Sequence, residues 1–288
     1  MNKYTALIMD LKKSRKYSSN NRNAIQDYIY HVIDVLNDAF RISLEKDVFF
    51  SAGDELQGLF SSVEASYLYY RLFSMLIGPV EIRAGIGVGD WDVVVENAGT
   101  TAQDGSAYHN ARYAINAMEE SLGYSVLLYS GNKNDVIINS LFNSTALIIS
   151  KQSEYQNQIM LLSELLYPIN AYEIIDIKKL KCIVELIAHR SEVVNFDFFS
   201  IKNANRPKPL IFRLAQTHFE SIPIDVRETD ESFFVTQGKI RGLPMQLSEI
   251  VGVTRQSIDK TIKSAKIYEA RNIAFATLKY LNNIWGIY

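Results

Sequence analysis

The stretch VFFSAGDELQGLF, residues 48–60, sets two carboxylates, Asp54 and Glu55, beside a glycine between two apolar runs. The pattern predicts a strand, a tight turn at Gly53-Asp54-Glu55 and a second strand, because glycine accepts the backbone conformations that tight turns demand. Upstream, TALIMD (5–10) predicts a buried strand that delivers Asp10 at its tip. If these strands are neighbours in one sheet, Asp10 and Asp54 stand side by side. Paired carboxylates repel, and a divalent cation relieves the repulsion. Mg²⁺ or Mn²⁺ is therefore the expected cofactor, with Asp10, Asp54 and Glu55 as its ligands, since Mg²⁺ takes one or two carboxylates plus substrate phosphates. In a two-ion scheme one ion activates a ribose hydroxyl and the other stabilises the pyrophosphate leaving group. Ser14 and Arg15, in the polar loop after Asp10, and Arg112, near the start of a later helix, are the expected nucleotide contacts. An acidic turn without a ligand is the competing reading, and no residue is assigned a catalytic role.

The elements that must position these groups follow from periodicity. After the polar loop 12–21, apolar residues at 25, 29, 32, 33, 36 and 40 recur at helical spacing. The hairpin comes next, and Ser61 with Glu64 forms a capping-box pattern that opens a helix to about Leu76. VEIRAGIGVG (80–89) predicts a strand, 97–106 a glycine-rich loop, 107–121 a helix and YSVLLY (124–129) a strand. The first six elements make a βαββαβ unit. The expected fold is α+β: a ferredoxin-like antiparallel sheet of the cyclase/palm type with helices on one face, plus a mainly helical C-terminal region. Residues 135–189 look helical with a break at Pro168, VVNFDFFSI (193–201) and ESFFVTQ (231–237) suggest strands, and RPKP (206–209) a turn.

The C-terminal segment 243–265 pairs a short helix carrying Leu247, Ile250 and Val251 with a second carrying Ile258 and Ile262. Gly252 supplies the turn and Thr254 the cap, which predicts a helix-turn-helix. Thr254, Arg255, Gln256, Lys260 and Lys263 are the expected DNA contacts, with Lys266 and Arg271 as further phosphate contacts. A helical packing or dimerisation surface is the alternative. From Lys239 onward there are eight Lys or Arg against three acids, a formal +5, while the rest of the chain carries −7 of a net −2. Such asymmetry suggests parts with different partners. The expected division is 1–132 for a nucleotide- and metal-binding domain, 133–238 for a connecting region and 239–288 for the helix-turn-helix domain.

With 288 residues, 48% hydrophobic and 22% charged, the composition is that of a soluble globular protein. No secretory signal is read before the first strand and no apolar run approaches the roughly 18–20 residues of a membrane span. The lone Cys182, in an apolar setting, is expected to be core filler, and a cytoplasmic location follows. Four scattered histidines lack metal-ligand spacing, and GIGVG (85–89) lies in a strand, so it is not a dinucleotide fingerprint.

Four segments in order, IMDLKKSR (8–15), SAGDELQGLF (51–60), IRAGIGVGDW (82–91) and GSAYHNARYAI (105–115), resemble the SatD family of bacterial proteins. That family is similar in layout to class III nucleotidyl cyclases and GGDEF-type palm domains, over residues 1–130 of this chain, and its C-terminal end resembles the helix-turn-helix here. The resemblance implies that Asp10 and Asp54 match the two metal-binding acids of cyclases and that Arg112 sits near their phosphate-directed arginine. The cyclase helix carries Asn four residues before that arginine, whereas Tyr108 holds the place here. The expected function is a regulator in which a cyclase-like domain binds nucleotide and Mg²⁺ and a homodimeric helix-turn-helix binds DNA. The alternative is a metal-dependent nucleotidyl cyclase or nucleotidyltransferase.

Overall fold

The computed structural model describes residues 3–12, 19–120, 123–169, 174–195, 219–226 and 233–285. The elements run β1 (Tyr4–Leu11), α1 (Ser19–Ala39), β2 (Leu44–Ala52), β3 (Glu55–Phe60), α2 (Val63–Leu76), β4 (Ile82–Gly89), α3 (Ser106–Ala117) and β5 (Val126–Tyr129). Then follow α4 (Asp135–Ser150), α5 (Glu154–Leu166), α6 (Leu180–Asn195), α7 (Leu243–Val251), α8 (Arg255–Ser264) and α9 (Ile267–Trp285). This is a mixed α+β protein, with one five-stranded sheet among the described residues, in the order β2-β3-β1-β4-β5. Strand β1 is antiparallel to β3 and β4, and β2 to β3, but β5 runs parallel to β4. The four strands of the first six elements are thus antiparallel, as expected, and β5 adds a parallel edge strand because α3 carries the chain back across the sheet before it.

Central β1 is apolar along its length because both of its faces are covered. Leu7, Met9 and Leu11 point into the main core with α1 and α2, while Ala6 and Ile8 join Leu59 and the α3 residues Ala107, Ala111 and Ile115. The helices of the first six elements, α1 and α2, thus share one face as expected, and α3 covers the other. The glycines of GIGVG explain how α3 fits. A Cβ at Gly85 would lie 2.2 Å from the carbonyl of Ala111, and one at Gly87 would lie 2.0 Å from the amide of Ala111. Glycines two apart on one strand face let a helix backbone approach where a side chain would hold it off.

Helix α1 buries Ile25, Ile29, Val32, Ile33 and Leu36 as its spacing predicts, although it begins at Ser19. Helix α2 is buried nearly all round, with the sheet on one side and α5, α6 and α9 against it elsewhere. Its tyrosines suit that position because each hydroxyl has a partner: Tyr67 meets Thr145 (3.1 Å), Tyr69 donates to Asn37 (3.1 Å) and Tyr70 meets Ser125 (3.2 Å). The α2 cap is Ser62, whose Oγ accepts from the amide of Ala65, and not Ser61, which donates instead to the carbonyl of Ser43.

Helix α5 stops at Leu166, ahead of the predicted break at Pro168. Cys182 is exposed on α6, so it is not core filler. The strand expected over 231–237 does not form in its described part, where Phe233 is 99% exposed. Residues 193–195 end α6, and the rest of VVNFDFFSI, with RPKP, lies outside the described residues. Near the C-terminus α7 ends at a left-handed Gly252 (φ 73°), and Thr254 caps α8 by accepting from the Ser257 amide. No helix among the described residues is long and apolar enough to cross a membrane.

Candidate functional site

Strand register assembles the site. Asp10 lies directly across from Glu55 on β3 and from Arg83 on β4, so Glu55, Asp10 and Arg83 form one row on the face that α3 covers. Opposed carboxylates on adjacent strands repel, and two arginines offset that repulsion. Arg83 pairs with Asp10 and, at 3.5 Å, with Glu119. Arg112, from α3, grips Glu55 with two parallel hydrogen bonds, Nη1 to Oε2 at 2.5 Å and Nη2 to Oε1 at 2.7 Å. Ser51 donates to the same Oε1 (2.8 Å).

The forked geometry of guanidinium on carboxylate is the strong form of the pair. The Arg112 hydrogen bonds hold the Glu55 carboxyl below its ordinary value, against a smaller upward push from burial. The Arg112 guanidinium is raised, first by Glu55 and also by the charge of Asp10. Asp54 sits at the turn beside them, half-buried, and its carbonyl accepts from the Leu11 amide (3.4 Å). The hairpin turn and the end of β1 are therefore adjacent, the condition on which the metal reading depends.

Behind this row lies a buried polar contact. The Gln57 amide donates to the carbonyl of Thr100 (3.1 Å), and the Tyr108 hydroxyl meets Thr100 Oγ1 (3.3 Å). Tyr108 thus faces the loop that carries Thr100. His109 bonds Asp104 (2.8 Å) and Asn110 donates to the Val88 carbonyl (2.8 Å). Strand register and the Arg112 fork join Asp10, Glu55 and Arg112, and Asp54 lies in the adjacent turn. Ser14 and Arg15 lie outside the described residues. Arg83 and Gln57 were not anticipated. The period-2 alternation that puts Arg83 on the face of Gly85 and Gly87 was visible in the sequence, but the pairing with Asp10 depends on a register that it does not fix.

The SatD family model matches residues 4–190, about two thirds of the chain. The chain belongs to the SatD family. Among curated proteins, none matches it. The SatD match takes in every residue of the carboxylate–guanidinium row and helices α1 to α5, with most of α6. Within it, no group of three or more His, Cys, Asp or Glu among the described residues is arranged to hold a metal ion.

The second group of expected residues is on α8. That helix buries Ile258, Thr261 and Ile262 against its neighbours α5, α7 and α9. Thr254, Arg255, Gln256, Lys260 and Lys263 are all exposed on its other side. Arg255 makes only a loose 3.8 Å pair with Asp259 one turn on, worth a few tenths of a kcal/mol at such a site. Lys266 is exposed too. Arg271 is not: it is fully buried and donates to the carbonyls of Ser163 and Tyr167, so it cannot meet a phosphate.

A pH consequence follows at Glu55. Because its folded value is lowered, the stability it contributes is present above its unfolded value and lost as pH falls through the folded one. Arg112→Gln is expected to cost about 1 kcal/mol at neutral pH, a figure kept low because Arg112 is partly exposed. Urea melts of the two proteins should converge in acid, below the folded value of Glu55. A gap of constant size down to pH 2–3 would contradict the assignment.

Proposed function

We propose that this SatD-family protein is a regulator in which the sheet domain binds a nucleotide with Mg²⁺ and α7–α8 act as a helix-turn-helix on DNA. The observation that carries the DNA half is the split character of α8, with an aliphatic face turned inward and cap, amide and cationic side chains turned to solvent around a single acid, Asp259. A recognition helix needs that division, since its N-terminal residues must reach base edges and phosphates. Homodimerisation would supply the second half-site, and a cytoplasmic location accords with a DNA target.

For the nucleotide half, the strand order β2-β3-β1-β4 with α1 and α2 is what a ferredoxin-like, cyclase/palm-type unit requires, and α3 with β5 extends it. Asp10 and Glu55 already hold guanidinium groups, so the donor set suits a cation that arrives with phosphates rather than alone. Phosphate oxygens would take over Arg83 and Arg112, which frees Asp10, beside Asp54, to hold Mg²⁺. When bound, the ion would neutralise phosphate charge. The proposed domain division, 1–132, 133–238 and 239–288, goes with this reading.

Two measurements test it. Affinity for a mixed-sequence duplex should fall steeply with salt, and Lys263→Ala should reduce the slope of log K against log salt by about one. Arg255→Ala should weaken binding by about 1–3 kcal/mol, most of it on the preferred sequence. Salt-independent binding, or binding untouched by both changes, would sink the DNA half. Calorimetry with each NTP should show Mg²⁺-dependent binding that disappears in Asp10→Asn. Pyrophosphate release that disappears in Asp54→Ala would favour the nucleotidyltransferase reading instead.

A further inference from the structure

A cavity of about 670 Å³ opens on the other side of the sheet from the carboxylate row, between α2, the start of β4, and helices α4, α5 and α6. That volume is in the range of sites for small organic ligands. Two of its lining residues are arginines that water scarcely reaches: Arg71 is 2% exposed and Arg190 is 1% exposed. Burial of a charge is costly unless it is paired and hydrogen-bonded.

Arg71 has a partner, Glu164, at 2.7 Å, but shares that carboxylate with the buried Arg271. Arg190 has none. It donates to the Met75 carbonyl (2.6 Å) and to Asn157 Oδ1 (2.8 Å), and among the described residues no carboxylate is within ion-pair distance of it. Burial holds its guanidinium below the ordinary arginine value, and Tyr28 and then Glu154 only partly offset this. Three buried guanidiniums thus stand against one buried carboxylate.

Donor atoms are also left over. Nε and Nη1 of Arg71 and Nε of Arg190 are buried and without hydrogen-bond partners. One acceptor in the same lining, Oε1 of Gln152, is buried and unpaired as well. Unsatisfied buried polar atoms are rare in folded proteins and call for an explanation. Four of the seven such side-chain atoms among the described residues line this one cavity, and their chemistry is specific: three guanidinium N–H donors and a single free oxygen. Val80, Ile82, Leu147 and Ile149 give the cavity apolar wall. The opposing acids of the lining, Glu81 and Glu154, are exposed and half-buried, whereas the arginines are buried.

We infer that this cavity binds a small organic anion, a molecule with a carboxylate or phosphate group read by Arg190 and Arg71. A hydroxyl or amine of the same molecule would donate to Gln152, and its carbon skeleton would lie on the aliphatic wall. The site is independent of the nucleotide and DNA reading, because it uses neither the carboxylate row nor α8.

The test is calorimetry on the full chain with pyrophosphate and with citrate, which separate a phosphate-reading site from a carboxylate-reading one. At least one of the two should bind saturably at one per chain. Arg190→Gln, which keeps a donor and removes the charge, should weaken that binding about tenfold or more, the loss of a charge-assisted hydrogen bond. Ser150→Glu alters an exposed residue at the cavity mouth and should weaken it similarly by repulsion, whether or not Arg190→Gln folds. Arg112→Gln, in the other site, should leave it unchanged. The inference is overturned if neither probe binds saturably. It is equally overturned if binding persists undiminished in Ser150→Glu or in folded Arg190→Gln, or falls only in Arg112→Gln.

Discussion

Replacing Glu164 by Leu is expected to lower the free energy of unfolding by about 3–5 kcal/mol, the cost of removing one partner from a buried ion pair. Glu164 is buried on α5 between Arg71 of α2 (2.7 Å) and Arg271 of α9 (2.9 Å), so one carboxylate ties three helices. Burial pushes its carboxyl up, but Arg271 and Arg71 together outweigh that and hold it below the ordinary value. Removal leaves two guanidiniums without a countercharge in a site that excludes water. The two would then differ in consequence. Arg271 retains the carbonyls of Ser163 and Tyr167, whereas Arg71, whose other neighbour Tyr67 carries no charge, would lose its carboxylate partner. The sign with pH also follows. Glu164 contributes above its unfolded value and loses its contribution as pH falls through the folded one, so wild type and variant should approach each other in acid. Urea melts between pH 3 and 7 measure both effects. A loss under 1 kcal/mol at neutral pH would mean that water enters the triad. The triple replacement Arg71→Met, Glu164→Leu, Arg271→Met should be far milder than the single change, because no charge is then left uncompensated.

The sequence carried the order of the elements because each had a clean local signal. A continuous apolar run wrote β1, helical spacing wrote α1, and the glycine turn with a threonine cap wrote the α7–α8 corner. What it did not carry were relations across the chain. Arg71, Glu164 and Arg271 are separated by 93 and 107 positions, and nothing local distinguishes them from surface charges, which is why Arg271 was read as a phosphate contact. The same holds for Arg83 and Asp10. Their partnership depends on strand register, and register is a property of the folded sheet. The capping box at Ser61 went wrong by one residue because Ser61 and Ser62 are both competent caps. The carbonyl of Ser43 then takes the Ser61 amide. Asp54 and Glu55 were legible as a pair, but their different fates were not: the turn residue stays at the tip while its neighbour enters β3 and meets Arg112.

These relations also change what the carboxylate row means. Two acids alone describe a site waiting for a cation, whereas two adjacent acids flanked by two arginines describe one already in balance. A ligand entering such a row must carry both signs, and a metal-bound phosphate does. Position of the row then depends on α3, since Arg112 reaches Glu55 only if that helix lies close to β4. The approach is controlled by Gly85, Gly87 and Gly89, at each of which a Cβ would meet the α3 backbone.

Gly87→Ala is accordingly expected to destabilise the protein by about 3 kcal/mol or more, the upper range for an overpacked core. Its new Cβ would sit 2.0 Å from the Ala111 amide nitrogen and 2.2 Å from the Ala107 carbonyl oxygen, and both are backbone atoms of α3 that cannot rotate aside. The helix must instead move away from the sheet, which opens the small core around Ile8, Leu59 and Ala111. Gly58→Ala makes a useful contrast. The nearest atom there is Cγ2 of Val48 at 2.5 Å, the end of a side chain that can shift, so a smaller loss is expected. Gly99→Ala should be neutral or slightly stabilising. It has open space around the added methyl and an extended backbone (φ −66°, ψ 177°) that alanine adopts freely, so the gain is a less disordered unfolded chain. The ranking of urea midpoints, Gly87 lowest, Gly58 between and Gly99 at or above wild type, tests the packing directly. Displacement of α3 has a second readout, because it withdraws Arg112 from Glu55. In whatever folded Gly87→Ala survives, Glu55 should titrate closer to its ordinary value, a shift that carbon-detected NMR of the carboxyl would report. An unmoved Glu55 beside a large loss of stability would show that the helix yields elsewhere and that the site does not depend on this contact.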